Sequence, residues 1–85
     1  MSEISSKKIP LSELHRGQEA VIVSMNVNHR FIKNLHKMGF LRGALIKVER
    51  LAPFGDPMEL IIKGCHLSLR KETADCIFVV KLEDM

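Results

Sequence analysis

The chain contains no tryptophan and no tyrosine, and only four phenylalanines, two cysteines and three prolines in 85 residues. Each scarcity removes a class of function. A single-strand nucleic-acid platform stacks bases on interleaved surface aromatics, and this sequence has almost none to offer. Cys65 and Cys76 form no Cys-x-x-Cys pair and lack the framework of a small secreted domain, which favours reduced thiols in a cytoplasmic setting. No apolar run approaches the ~20 residues of a membrane span. The stretch from Met1 to Lys8 has no apolar core after its basic residues, so it does not read as a signal peptide. Basic charge is thin as well: thirteen Lys and Arg against ten Asp and Glu give +3, interspersed along the chain, with Lys7-Lys8 the only short basic cluster near a terminus. Duplex nucleic acid calls for a denser stripe and is not expected as a partner. The charge permits an acidic partner without demanding one.

Chemical motifs are equally sparse. The five glycines, Gly17, Gly39, Gly43, Gly55 and Gly64, fit neither the P-loop nor the dinucleotide fingerprint, so no cofactor is expected. Cys65 and His66 are neighbours on a segment read as strand or bend, where successive side chains point to opposite faces; that keeps the imidazole from the thiol and argues against nucleophilic catalysis. His29 and His36 stand two helical turns apart, ~10 Å, too far to share one ion. Neither catalytic nor metal-ligating residues are assigned.

What is present is a sequence of short apolar segments that change period. Residues 1–9 are polar and read as a flexible tail, followed by one domain over 10–85. Leu11 and Leu14 mark a helical turn stopped by Gly17. Glu19–Met25 is β-branched and nearly all apolar, as a buried strand requires. From His29 to Met38 the period becomes helical, with Asn28 as N-cap, Phe31, Leu35 and Met38 sealing the core, and Arg30, Lys33 and Lys37 on the outer side. Gly39 ends the helix in a left-handed cap that Phe40 closes, and Gly43 turns the chain into a strand. Clean alternation over Leu45–Leu51 and again from Met58 predicts a hairpin joined by Pro53-Phe54-Gly55-Asp56-Pro57. A short strand around Leu67 and Leu69, a helical turn from Lys71, and a closing strand from Ile77 complete the order. Five short strands close most economically as a small barrel.

Taken together, Leu11-Ser12-Glu13-Leu14 with Gly17, Leu35-His36-Lys37-Met38-Gly39-Phe40 with Gly43, the hairpin loop, and Leu67-Ser68-Leu69-Arg70 with Ala74 and Ile77 resemble the FeoA family of the ferrous iron transport system. The resemblance spans Leu11 to Leu82. It implies a mainly β, SH3-like five-stranded barrel with one α-helix inserted after the first strand, and a non-catalytic cytoplasmic accessory to FeoB, the GTP-binding membrane permease. It also relates the chain to a domain of diphtheria-toxin-repressor-type iron regulators, but transfers no metal ligands.

Two features are candidate contacts for such a partner. The outer helix face of Arg30, Lys33 and Lys37 is either a solvated surface or a docking one. Phe54 either anchors a partner from the hairpin loop or folds back over the barrel mouth. Two other classes remain open: a small nucleic-acid-binding barrel, and a direct Fe(II)-responsive regulatory domain. Five methionines leave self-association open as well.

Overall fold

The apolar stretch Glu19–Met25 is the second of six strands in a computed structural model of the chain, which describes residues 7–26 and 28–85. The order is β1 (Ile9–Pro10), β2 (Glu19–Met25), α1 (His29–Lys37), β3 (Leu45–Leu51), β4 (Met58–Ile62), β5 (Cys65–Leu69), α2 (Lys71–Ala74) and β6 (Ile77–Lys81). Short 3₁₀ turns lie at Leu11–Glu13, Pro53–Gly55 and Leu82–Asp84. All neighbouring strands are antiparallel, in the spatial order β1-β6-β2-β3-β4-β5.

Alternation decides which side chains enter the core. Ala20 and Ile22 from β2, Ile46 and Val48 from β3, Met58, Leu60 and Ile62 from β4, and Ile77 and Val79 from β6 are buried together with Leu11, Leu14 and Phe40. Register shifts between Ile22 and Ser24, and between Val48 and Arg50, insert an extra residue into β2 and β3. Such bulges sharpen strand twist, which lets one sheet curl around a single core.

The sheet holds one strand more than the five expected. Ile9 pairs with Val79 and Pro10 with Phe78, and Ile9 packs against the core, so Ile9, read from the sequence as the last residue of the 1–9 tail, belongs to the sheet. Proline lacks the ladder's donor and masks the strand in sequence, yet it is tolerated at a sheet edge. Residues 1–6 of that tail lie outside the described residues. The two ends of the spatial order, β1 and β5, leave the sheet with edges that full closure would have removed.

Helix α1 starts where Asn28 Oδ1 accepts a hydrogen bond from the Phe31 N–H at 2.9 Å. It ends in a Schellman cap: Phe40 N–H donates to Leu35 O at 2.9 Å and Gly39 N–H to His36 O at 3.0 Å, with Gly39 at φ +98°. The expectation that Phe31, Leu35 and Met38 all seal the core needs correction. Leu35 is 1% exposed, but Phe31 and Met38 are 39% and 42% exposed. Phe31 and Met38 are seven residues apart on one flank, and the cap drives Phe40 inward to fill the space beside Leu35.

Candidate docking surfaces

The loop joining β3 to β4 is tied at several points. Ala52 N–H donates to Pro57 O at 3.1 Å, and Gly55 N–H to Ala52 O at 2.7 Å. The Asp56 carboxylate accepts from the Lys71 N–H at 3.0 Å, linking the loop to the start of α2. Within this frame Phe54 sits at φ 66°, ψ 14°, the left-handed region that a bulky residue rarely adopts. Its side chain is 99% exposed. Of the two readings open in the sequence, the ring therefore takes the outward one and does not fold over the core.

Lys33 and Lys37 are exposed on α1, one helical turn apart. Arg30 belongs to the same helix, but its side chain lies outside the described residues. A Cβ at Gly39 would lie 3.8 Å from Ile62 Cγ2 and 3.8 Å from Lys63 Cδ. The C-terminal end of α1 thus rests near the end of β4, at the open end of the β3–β4 hairpin, whereas Phe54 stands at its closed end. Of the residues singled out in the sequence, Lys33 and Lys37 lie on the helix and Phe54 at the far end of the hairpin, on separate surfaces.

At the open end lies a feature that the sequence reading missed. Leu45, Lys47, Ile61, Lys63 and Gly64, with Glu19, line a shallow cleft of about 330 Å³. Leu45 is 47% exposed, and Met38 and Leu41 are exposed in the preceding turn. The available signal was parity: Leu45 alternates with buried Ile46 and Val48 and so shares the outer face with Lys47. Charge is also less evenly spread than the interspersed pattern suggested, since residues 20–48 carry five Lys and Arg and no Asp or Glu.

The remaining polar contacts are structural pairings. Arg50 binds Glu59 across the hairpin at 2.9 Å, and this carboxylate, by hydrogen bond and by charge, raises the guanidinium pKa. His66 Nδ1 lies 2.8 Å from Glu49 Oε1 on the outer surface. The Cys76 thiol approaches Glu72 O at 3.7 Å, and Cys65 is exposed. Among the described residues, no group of three or more His, Cys, Asp or Glu is placed to hold a metal ion. No helix among them is long and apolar enough to cross a membrane.

Six antiparallel strands with a helix carried between β2 and β3 define a mainly β, SH3-like domain of small size. Residues 9–81 match the FeoA domain, and the chain belongs to that family. It is 44% identical over 64 residues, 75% of its length, to the Fe(2+) transport protein A/Fe(2+) transporter FeoB fusion protein of Porphyromonas gingivalis (strain ATCC BAA-308 / W83). The match spans only 8% of that relative. Among solved structures, the FeoA protein of Chlorobium tepidum superposes with a TM-score of 0.82 at 38% identity, covering 87% of this chain and 70% of the other. The crystal structure of an iron uptake regulatory protein (FeoA) gives 0.81 at 29% identity, covering 88% of this chain and 99% of the other.

Proposed function

We propose that this chain is a non-catalytic accessory protein of ferrous iron transport that docks on the cytoplasmic part of a FeoB-type permease and supports or regulates it. The observation that carries the reading is the fusion relative, in which a matching domain and a FeoB transporter occur in one polypeptide. Domains joined covalently in one protein are held at high effective concentration, and a separate chain of the same family must replace that tether by a surface contact. Phe54 and the exposed Lys33 and Lys37 supply such contacts here: a fixed aromatic anchor and a basic helix face suited to acidic side chains. A cytoplasmic location, with recruitment to the inner face of the membrane through FeoB, follows from the same reading.

The test is co-purification with full-length FeoB from detergent-solubilised membranes. Wild-type chain is expected to be retained, and Phe54→Ala and the double charge reversal of Lys33 and Lys37 to be retained less. Absence of wild-type retention with folded FeoB sinks the reading. GTP turnover measured with and without the chain then separates regulation from passive support.

A further inference from the structure

The β3–β4 hairpin carries a protruding aromatic at one end and an apolar depression at the other. Phe54 is the most exposed large apolar side chain described, 99% against 64% for the next, Met85. Its loop is restrained by the Ala52–Pro57 and Ala52–Gly55 backbone bonds and by the Asp56–Lys71 bond, so little freedom remains to be lost when the ring is covered. The cleft at the other end has Leu45 and Ile61 as its apolar part, with Lys47, Lys63 and Glu19 around them. Glu19 lies opposite Lys47 in the β2–β3 register, which leaves Lys63 as the unbalanced charge of the rim.

We propose that Phe54 of one copy of the chain inserts between Leu45 and Ile61 of a second copy, with Asp56 of the first facing Lys63 of the second. The seven residues of β3 span ~20 Å, so ring and cleft cannot meet within one molecule. Apolar ring and apolar cleft match in kind. The exposed carboxylate two residues beyond Phe54 matches Lys63 in sign, whereas the one acid of the cleft, Glu19, already faces Lys47 and leaves no carboxylate to receive an incoming basic segment. Because ring and cleft lie at opposite ends of one hairpin, two copies either exchange the contact reciprocally in a closed pair or pass it on from copy to copy, and the mass reached by the wild type tells which. Self-association and capture of any other partner through Phe54 exclude each other.

The contact does not depend on the FeoB reading, and its test uses the purified full chain alone. Sedimentation equilibrium is run from low micromolar up to about 1 mM, the concentration at which even an association of about 4 kcal/mol is half-populated. The weight-average mass is expected to rise with concentration and fall back with added salt. Phe54→Ala and Leu45→Glu should each remain at the single-chain mass. Their equimolar mixture should recover association but stop at two chains, because each pair has one intact ring and one intact cleft. A circular dichroism melt establishes folding, and Lys63→Glu replaces Leu45→Glu if that variant does not fold. Single-chain mass for the wild type throughout, undiminished association of either variant, or a mixture that stays monomeric would each overturn the proposal.

Discussion

Asp56 Oδ1 accepts a hydrogen bond from the backbone N–H of Lys71 at 3.0 Å, so the β3–β4 loop caps helix α2 from fifteen residues away. The residue in the local cap position, Arg70, contributes no side-chain hydrogen bond. Removing the carboxylate by Asp56→Ala leaves the first turn of α2 short of an acceptor and is expected to cost about 1 kcal/mol. For a domain of this size that lowers the melting temperature by roughly 4–8 °C, and Asp56→Asn, whose amide oxygen still accepts the bond, should lose much less. A thermal melt followed by circular dichroism measures it.

Phe54 occupies a left-handed conformation without burying any of its ring, so nothing within the domain offsets the backbone cost. Asparagine adopts that region with less strain. Phe54→Asn is expected to leave stability unchanged or raise it by about 0.5–1 kcal/mol in a denaturant titration, while weakening retention on FeoB. A large loss of stability would show that the ring is part of the core.

The apolar residues of α1 should separate sharply in a truncation series. Leu35→Ala removes a buried side chain and is expected to cost about 2–5 kcal/mol. Phe31→Ala and Met38→Ala, at half-exposed positions, should cost about 1 kcal/mol or less. Urea midpoints of the three variants, compared at a common slope, give the answer.

Lys33 and Lys37 make no salt bridge among the described residues, so reversing both to glutamate is expected to leave the melting temperature within a few degrees of wild type. Retention on FeoB should fall, and wild-type retention should itself weaken with salt as screening shortens the reach of the charges. Salt-independent retention, equal for wild type and variant, removes this face from the contact.

Much of the fold was legible because period and punctuation agreed. The strand over Glu19–Met25, the Asn28 cap, the Gly39 cap closed by Phe40 and the β3–β4 hairpin each combine an alternation with a residue suited to the turn beside it. Strand β1 escaped because two residues have no period and one is proline. The inward face of α1 was overdrawn because a helical wheel gives the direction of a side chain but not the depth at which the helix rides on the sheet. The candidate surfaces were legible in part. Phe54 stood out as an aromatic among turn formers, but its outward position goes with a left-handed backbone and a loop tied to Lys71, a contact between distant residues that no local pattern spells out. The cleft beside Leu45 joins three strands, and no local window contains it.

Helix α1 is held to the rest of the domain mainly by one fully buried side chain, Leu35, whereas β2, β3, β4 and β6 share the core across several layers of residues. Its amide protons should therefore exchange with solvent well before those of β3 and β4, at an opening free energy far below that of global unfolding. Among the described residues, the basic face of Lys33 and Lys37 then rides on an element that opens early, while the hairpin that carries Phe54 keeps its shape.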